Sequence, residues 1–391
     1  MPNGEQIRKM RQFAGSCRFV YNKALALNIE RYAKKEKRLG YASLCALLPA
    51  WKTEHPFLSA VPAQALQQAL KNLERAYTNF FKKRADFPKF HKRGQRRGFR
   101  IPQGFEVDNT NGRLKLPKLE WMRYRKSQDI LGEAANISVS ESCGKWFASI
   151  QTEREADRPH HPSDTSVGLD WGVARFFTLS DGQIAEQLAP LKAFLPKLAK
   201  LQRRLARKKK FSSNWKQAKA RITTLHSKIA NIRKDFVNKT SNDISKNHAV
   251  VCIEDLQVKN MSASAAGTKD KPGKNVSAKS GLNRSILDAS PFELRRQLEY
   301  KTAWQGGILV PVPPQNSSRE CPECGHISSE NRKTQEKFLC TQCGFSADAD
   351  WVGSVNVLRR GIALLVCSSS SPDVRASWQK PTESIHAEAR S

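Results

Sequence analysis

Two pairs of cysteines near the carboxyl end constrain the fold more than any other feature of this sequence. Cys321 and Cys324 form one Cys-x-x-Cys pair, and Cys340 and Cys343 form a second pair 15 residues further along the chain. Two such pairs at this separation can place four thiolates at the corners of a tetrahedron around one Zn²⁺ ion. A glycine follows each pair and suits a tight turn whose backbone amides point at the sulfurs. The sequence therefore predicts a small structural zinc ribbon over residues 316–347.

The remaining cysteines lack metal-binding spacing. We expect them to be buried small hydrophobic residues, because an isolated thiol behaves as one; they are Cys17, Cys45, Cys143, Cys252 and Cys367. His326 lies beside the first pair, but four thiolates already complete a zinc shell, so we expect it to be a surface residue.

The charge of the chain is strongly unbalanced. Lys and Arg total 67 against 36 Asp and Glu, a net charge of +31. A metabolic enzyme with a small neutral substrate has no need of such an imbalance, which favours a polyanionic partner, nucleic acid rather than a membrane. No apolar run approaches the roughly 20 residues of a membrane span. The amino terminus also lacks the hydrophobic region of a signal peptide, so we expect a cytoplasmic protein.

Two segments carry much of the positive charge. Residues 82–100 contain nine Lys or Arg and one acid, with Phe87, Phe90 and Phe99 interleaved. Basic residues with aromatic neighbours can follow phosphates and stack on bases, although a solvated surface loop is the alternative. Residues 190–240 hold 16 Lys or Arg and a single acid, and their apolar period predicts a basic antiparallel helical hairpin.

Hydrophobic periodicity predicts the other elements. We expect helices at 4–34, 62–83 and 288–305, strands at 114–116, 137–140, 146–151 and 307–312, a mobile loop at 262–285, and a disordered tail from 367.

Three carboxylates interrupt otherwise apolar patterns. Asp170 lies in the strand-like run 166–173, Glu254 ends the apolar run 249–253, and Asp350 begins a helix after the ribbon. A carboxylate in an apolar strand is unfavourable unless it is paired or bound to metal. Taken singly, each acid is more often a cap or a turn residue.

Two neighbouring acids need separate interpretation. Asp348 is a rival to Asp350, but the helical pattern that follows favours Asp350. Asp255 follows Glu254, and alternation along a strand points it to the opposite face, so we expect a structural role for it.

The order of the three acids is informative. An acid on a first strand followed by a β-hairpin, a second on a later strand and a third on a terminal helix form the RNase H-like arrangement. Such acids hold two divalent cations roughly 4 Å apart at a phosphodiester. Magnesium suits carboxylate sites that leave positions for water and phosphate oxygens.

The sequence resembles the TnpB family, the RuvC-type nucleases of insertion sequences related to type V CRISPR effectors. The resemblance rests on seven signals in order, which are Pro2 and Gln6, Arg18-Phe19 with Tyr21-Asn22, Pro88-Lys89-Phe90, Gly168-Leu169-Asp170-Trp171-Gly172, Ile253-Glu254-Asp255-Leu256 with Asn260-Met261, the four ribbon cysteines, and Ala349-Asp350 with Asn356-Val357.

Two departures from the family pattern stand out. Val352 and Ser354 replace an Asn and an Ala of the last motif, which leaves metal binding expected but with reduced efficiency. Family members carry a β-strand before the first motif, whereas Met1 directly precedes Pro2 here. We therefore expect a truncated wedge, from a start placed too far downstream or from a decaying element.

The resemblance implies an α+β multidomain protein with a helical lobe, a small β-barrel wedge, an RNase H-like (RuvC) α/β nuclease domain with a helical-hairpin insertion, and an inserted zinc ribbon. The expected boundaries are 1–99 for the lobe, 100–160 for the wedge, 161–315 for the first two nuclease motifs with the hairpin 190–240, 316–347 for the ribbon, 348–366 for the third-motif helix and 367–391 for the tail.

The resemblance also implies an RNA-guided DNA endonuclease of an insertion sequence. Asp170, Glu254 and Asp350 would be catalytic and bind Mg²⁺ or Mn²⁺, while the four ribbon cysteines would bind structural Zn²⁺. The partners would be DNA and a guide RNA from the element's end, with a monomer or a dimer on the RNA, in the bacterial cytoplasm near the nucleoid. The alternatives are a non-cleaving guided DNA-binding repressor and a truncated, inactive transposase-like element.

Overall fold

The computed structural model of the chain describes residues 2–94, 97–156, 159–268 and 270–369. Arg96 of the basic segment, Met1 at the expected truncation, and residues 370–391 of the predicted tail lie outside the described residues. The chain forms two compact units that divide after Ala156. None of the described helices is both long and apolar enough to cross a membrane.

The first unit begins with helices and continues with two small sheets. Its helices are α1 (Gly4–Ala33), α2 (Tyr41–Ala46), α3 (Leu48–Glu54) and α4 (Ala63–Phe81), with a 3-10 turn at Pro56–Ala60. Its strands are β1 (Gly98–Ile101), β2 (Glu106–Asp108), β3 (Arg113–Leu116), β4 (Glu120–Arg123), β5 (Glu133–Ser142) and β6 (Lys145–Glu153). The predicted helices at 4–34 and 62–83 are confirmed as α1 and α4. Helices α2 and α3 were not predicted, because six or seven residues are too few to show a helical period.

The six strands pair antiparallel in two sheets of three, with the orders β1-β5-β6 and β2-β3-β4. The strands predicted at 137–140 and 146–151 lie inside β5 and β6, and the strand predicted at 114–116 lies inside β3. The turn between β5 and β6 contains Cys143 and Gly144 with φ of 50° and 78°, as the glycine suggested. Closure of these sheets into a barrel stays a prediction.

Residues of the amino-terminal motif fix the helix start and the basic segment. Asn3 caps α1 by accepting a hydrogen bond from the Gln6 amide at 2.8 Å, and the Gln6 side chain accepts one from Asn3 at 2.9 Å. Tyr21 stacks on His91 with 3.9 Å between ring centroids. Asn22 exchanges two hydrogen bonds with the His91 backbone, at 3.0 and 2.8 Å. The motif therefore anchors the chain directly after Phe90.

The aromatic residues of the basic segment do not share one role. Phe87 and Phe90 are 43% and 51% exposed, so their rings remain available to a partner. Phe99 is only 6% exposed and packs edge-on against Phe13 at 5.4 Å. The expectation that Phe99 could stack on a base is therefore wrong, because β1 turns that side chain into the core.

The second unit is built on a five-stranded sheet. Its strands are β7 (Ser166–Trp171), β8 (Arg175–Leu179), β9 (Ile184–Glu186), β10 (Val250–Glu254), β11 (Ile308–Val312), and, in the ribbon, β12 (Lys337–Leu339) and β13 (Ser346–Asp348). Its helices are α5 (Pro190–Ala206), α6 (Ser213–Asn247), α7 (Val258–Met261), α8 (Val276–Ala289), α9 (Pro291–Trp304) and α10 (Ala349–Ser369), with a 3-10 turn at Ser329–Asn331.

The strand order of the large sheet is β11-β10-β7-β8-β9. Strand β10 is parallel to both β7 and β11, whereas β8 is antiparallel to β7 and β9. Alternate residues of a strand face opposite sides. Asp170 accordingly faces α10, while Leu169 and Trp171 line a cavity against α9. The sheet is thus covered by helices on both faces.

The helical hairpin is confirmed as α5 and α6, with α6 continuing eleven residues past Phe236, the last apolar position predicted for it. Beyond Phe236 the buried face continues with Val237 and Ile244, and Ser241 and Ser245 on the same turns are also fully buried. Small polar residues therefore extend the buried face of α6.

Three predictions in the carboxyl half are wrong at their boundaries. The loop predicted at 262–285 contains the start of α8, whose Ile286 and Ala289 are buried although the segment shows no apolar period. Ser290 at φ 54° separates α8 from α9, so a helix does not begin at 288. Helix α10 continues to Ser369, so the chain remains helical beyond 367, where we placed the start of the tail.

Candidate active site and metal centre

Asp170 and Glu254 lie side by side at the carboxyl edge of the large sheet. Strands β7 and β10 are parallel, and their register pairs Ile253 with Leu169. The next residue of each strand is the acid, so both carboxylates lie at the same edge. Glu254 is the last residue of β10, after an apolar run. The order of the strands thus brings together two acids that are 84 positions apart in the sequence.

Asp350 joins this edge because α10 crosses β7 very closely. A Cβ atom placed on Gly168 would lie 2.0 Å from the Ser354 carbonyl oxygen, and one on Gly353 would lie 2.8 Å from Oδ2 of Asp170. Neither position leaves room for a side chain, so the two glycines permit the crossing. Asp350 lies in the first turn of α10, three residues before Gly353.

The three acids form one electrostatic cluster. Burial, together with the charges of Glu254, Asp350 and Asp348, raises the pKa of Asp170 well above its usual range. Burial also raises the pKa of Glu254, while the Ser317 hydroxyl, Arg360 and Arg332 oppose the rise. Buried carboxylates that repel one another favour a bound cation. The donor set therefore fits a hard divalent metal such as Mg²⁺.

The three acids are spaced more widely than the ligands of a single ion. Among the described residues, the four ribbon cysteines are the only His, Cys, Asp or Glu set with ligand atoms all within 4.8 Å of one another. A pair of cations roughly 3.5–4 Å apart needs ligands spread over a wider region than one ion does. The spacing of the acids is compatible with a two-metal site.

Asp348 has a different environment from Asp350. Its Oδ1 accepts hydrogen bonds from the backbone amides of Asp350 and Trp351, at 3.0 and 3.1 Å, so it caps α10. Its Oδ2 accepts a hydrogen bond from Arg175 at 2.8 Å. Burial opposes ionisation, but these donors hold the pKa of Asp348 below its usual range. The cap supports the choice of Asp350 as the candidate ligand.

Asp255 forms an ion pair with Arg295 of α9. It lines a cavity of about 300 Å³ with Trp171, Phe292 and the neighbouring Glu254. This position is compatible with the structural role expected for it.

Besides Arg175, which lies 3.8 Å from Oδ2 of Asp350, sequence reasoning missed two residues that hydrogen-bond to the acids. Arg332, in the ribbon, donates a hydrogen bond to Oδ1 of Asp350 at 3.0 Å. Ser317 donates one to Oε1 of Glu254 at 2.6 Å. No pattern distinguishes one arginine among 67 Lys and Arg, or one serine in the run 316–318, so neither residue carries a sequence signal.

The four ribbon cysteines meet as predicted. Their Sγ atoms all lie within 4.8 Å of one another, with Cys321 to Cys343 and Cys324 to Cys340 both at 3.6 Å. A tetrahedron with Zn–S bonds of about 2.3 Å has edges of about 3.8 Å, so the cluster has the size of a zinc site. Burial opposes ionisation of Cys340, but backbone amides and neighbouring sulfurs lower its pKa to about 6. A thiolate is the form that binds metal.

The ribbon turns have the expected backbone. Gly325 and Gly344 have φ of 73° and 79°, a region that favours glycine. The amide of Cys343 points at the Cys340 sulfur at 3.5 Å. His326 is half-buried, with Nε2 3.3 Å from the Thr341 hydroxyl, and is not part of the four-cysteine cluster.

The other cysteines divide into three groups by burial. Cys17 and Cys252 are buried as expected, and burial raises the pKa of each thiol to about 12. Cys45 is half-buried. Cys143 and Cys367 are exposed, so the expectation of burial is wrong for them. Cys143 lies in the tight turn after β5, and Cys367 lies near the end of α10.

Three family models match successive parts of the chain. A model described as "Helix-turn-helix domain" matches residues 1–37, one described as "Probable transposase" matches 149–265, and one described as "Cas12f1-like, TNB domain" matches 292–357. A cryo-EM structure of a Cas12f1–sgRNA–target DNA complex is similar at 18% identity with a TM-score of 0.34, covering 92% of this chain and 96% of that one.

Two curated relatives match nearly the whole chain. The protein named "Putative RNA-guided DNA endonuclease" from Streptomyces pristinaespiralis is 32% identical over 99% of this chain and 94% of its own length. "Putative RNA-guided DNA endonuclease InsQ" from Escherichia coli K12 is 52% identical over 99% of this chain and 97% of its own length. Identity at this level over almost the full length of both chains shows that this chain belongs to the TnpB family.

Proposed function

We propose that this protein is an RNA-guided DNA endonuclease of an insertion sequence. The observation that carries the proposal is the convergence of Asp170, Glu254 and Asp350 at one edge of the large sheet. The strand order and the terminal helix fit the RNase H-like arrangement, in which acids on neighbouring parallel strands and on a crossing helix surround the reacting phosphate. The family relationship supports the same activity.

Asp170, Glu254 and Asp350 would hold two Mg²⁺ or Mn²⁺ ions. When bound, these ions would activate a water and stabilise the leaving oxygen of a phosphodiester. The charges of both Glu254 and Asp350 act on Asp170, so all three carboxylates would contribute to holding the ions. Arg332 donates a hydrogen bond to Asp350, and its charge opposes the rise in the pKa of Asp170, so it favours the ionised, metal-binding form of Asp170.

The basic surface would bind the nucleic acids. In the α5–α6 hairpin, Arg233 and Lys239 are the only Lys or Arg with a described ion pair. The turn between α5 and α6 carries Lys208, Lys209, Lys210 and an exposed Phe211 that packs against Trp215 at 5.5 Å. Phosphates contact such cations, and unpaired bases stack on such rings. The hairpin would thus contribute to binding of the guide RNA or of the opened DNA.

The ribbon would bind one structural Zn²⁺ through its four cysteines. Its small core of Phe338 and Ala349 offers little apolar surface, so metal bonds would supply much of its stability. We also infer that the strands of residues 100–160 form a barrel-like wedge for RNA. We retain the domain boundaries expected from the sequence, except that the third-motif helix extends to Ser369.

The test compares Asp170→Ala with an exposed control, Asp164→Ala. We expect both proteins to co-purify with the same RNA, whose sequence would reveal the guide. Only the Asp164→Ala variant should then cut a DNA that matches the guide and carries a suitable flanking motif. Cleavage by Asp170→Ala at the wild-type rate would refute the site. Guided DNA binding without cleavage by the wild-type protein would instead support a repressor.

A further inference from the structure

Helix α10 holds the segment that leads from β11 to the ribbon. Asn356 is 1% exposed, and its Nδ2 donates hydrogen bonds to the backbone oxygens of Ser317 and Glu320, both at 2.8 Å. Both hydrogens of this amide group are therefore used on one short stretch of chain. Asn356 lies six residues after Asp350 on the same helix.

The next turn of α10 holds the same segment again. Arg360 donates to the Gln315 carbonyl at 2.6 Å and to Oε2 of Glu320 at 2.6 Å. Contacts from two successive helical turns fix the path of this stretch relative to α10. Ser317 lies in this stretch and is buried, with 5% of its surface exposed.

The Ser317 hydroxyl reaches Glu254 from this fixed position. Its Oγ lies 2.6 Å from Oε1 of Glu254, which is within the range of a hydroxyl bonded to an ionised carboxylate. The Pro314 carbonyl is 3.1 Å away and is the weaker acceptor for the single hydroxyl proton. Ser317 occupies one oxygen of Glu254, so the carboxylate cannot rotate freely about its terminal bond.

We propose that Ser317 is a positioning residue that fixes the Glu254 carboxylate, and that Asn356 fixes Ser317. This inference rests on the proposed two-metal site and names further residues that shape it. Helix α10 would then carry one acid itself, Asp350, and orient a second through Asn356 and Ser317. Groups that hydrogen-bond a metal ligand typically change metal affinity or activity by about 10–100-fold when removed.

The experiment measures Mn²⁺ binding by EPR on the full RNA-loaded protein. Because RNA also binds Mn²⁺, the signal of Asp170→Ala carrying the same RNA is subtracted. We expect Ser317→Ala to weaken the remaining binding by about 10–100-fold. It should raise the Mg²⁺ concentration for half-maximal cleavage in parallel, with zinc content and RNA retention unchanged.

Two variants separate positioning from a general structural effect. Ser317→Thr keeps the hydroxyl and should recover most of the Mn²⁺ affinity. Ser318→Ala removes a neighbouring hydroxyl that makes no described hydrogen bond, and it should match the wild type. Wild-type Mn²⁺ affinity in Ser317→Ala, or a failure of Ser317→Thr to recover it, would overturn the proposal.

A coupling test addresses Asn356. Asn356→Asp places an oxygen where Nδ2 faces two carbonyl oxygens, so it should release Ser317 and weaken Mn²⁺ binding. If both residues act through Glu254, their effects should not add. The double variant Ser317→Ala/Asn356→Asp should then have the same Mn²⁺ affinity as whichever single variant binds Mn²⁺ less tightly. Additive losses would refute the link between them. If the proposed function itself is wrong, wild type and Asp170→Ala would bind Mn²⁺ equally.

Discussion

Asp348 and Asp350 lie two residues apart and both form an ion pair with Arg175, yet their hydrogen bonds differ. Asp348 accepts hydrogen bonds from two backbone amides of α10 and from Arg175. Asp350 accepts one from Arg332 and adds its charge to that of Asp170. Both carboxylates therefore add their charge to that of Asp170, but Asp348 also stabilises the helix start.

Alanine and asparagine substitutions should separate these two carboxylates. Asp348→Ala removes a helix cap and should lower the free energy of unfolding by about 0.5–2 kcal/mol while some cleavage remains. Asp350→Asn keeps the volume but removes a metal ligand, so cleavage should disappear without loss of melting temperature. Thermal unfolding and plasmid cleavage measure the two effects. Loss of all cleavage in Asp348→Ala with activity kept in Asp350→Asn would reverse the assignment.

Gly353 allows α10 to approach Asp170. A Cβ at this position would lie 2.8 Å from Oδ2 of Asp170, so Gly353→Ala should displace the carboxylate and reduce cleavage at least tenfold. The control is Gly281→Ala in α8, where a Cβ meets nothing within 4 Å. That change should stabilise the protein by up to about 1 kcal/mol, because alanine is the better helix former. Equal effects of both variants on cleavage would contradict this view of the crossing.

The site residues differ in how well a sequence can reveal them. Asp170 and Glu254 each interrupt an apolar run, which is unusual enough to notice in one sequence. Arg332 and Ser317 are ordinary surface types in polar stretches, and only the folded chain brings them within 3.0 and 2.6 Å of the acids. Their importance depends on tertiary contact, which local patterns do not record.

At the scale of elements, α6 and α9 share a polar interface around a buried lysine. Lys301 of α9 is 9% exposed, and its Nζ donates to the Asn238 carbonyl at 2.6 Å and to the Ser241 hydroxyl at 2.8 Å. Burial lowers the pKa of Lys301 from 10.5 to about 8. This interface explains why small polar residues accompany Val237 and Ile244 on the buried face of the last turns of α6.

Lys301 should make stability rise with pH. Between about pH 8 and pH 10.5 the unfolded chain keeps the Lys301 proton while the folded protein releases it, so raising the pH favours the folded state. The gain is at most about 3 kcal/mol. Lys301→Met should not gain stability as the pH rises, whereas the exposed control Lys246→Met should gain it as the wild type does. Melting temperatures from pH 7.5 to 10 measure it, and identical profiles for the two variants would exclude the effect.

The ribbon should depend on its metal. Cys321 is fully buried among the four sulfurs, and Cys321→Ser should lose zinc and unfold the ribbon. Cleavage should fall as well, because the ribbon carries Arg332. Cys143→Ser, an exposed cysteine outside the cluster, should keep both zinc and activity. Metal analysis that finds well under one zinc per wild-type chain would rule out the site.

At the scale of the whole molecule, the net charge of +31 predicts salt-dependent binding of nucleic acid. Changing Lys208, Lys209 and Lys210 together to Glu should weaken RNA retention and flatten its salt dependence. If all three contact phosphates of an unpaired strand, the slope of log affinity against log salt should fall by roughly 2. The same three positions changed to Arg should behave as wild type. An unchanged slope in the Glu variant would place the RNA elsewhere.

The sequence predicts the long elements of the molecule better than the short ones. Helices α1 and α4, the hairpin and the strands that carry the acids have strong periodic patterns. Helix α8 has no such pattern, because its helical conformation depends on a few contacts, among them Asp288 with Arg233 of α6 at 2.6 Å. The short strands β2 and β4 also leave no pattern, because β2 only half-buries two of its three side chains and β4 exposes three of its four.

The last strand of the ribbon ends at Asp348 and α10 begins at Ala349, with no intervening loop. Successive helical residues are rotated by about 100° around the helix axis. A single residue inserted or deleted at this junction would therefore turn the ribbon, with Arg332 and the Asp348 cap, out of phase with α10 and Asp350, even if the ribbon and the helix both folded. Ribbons exchanged between relatives should function only when the join keeps this phase, so the junction of residues 348 and 349 should not tolerate an indel.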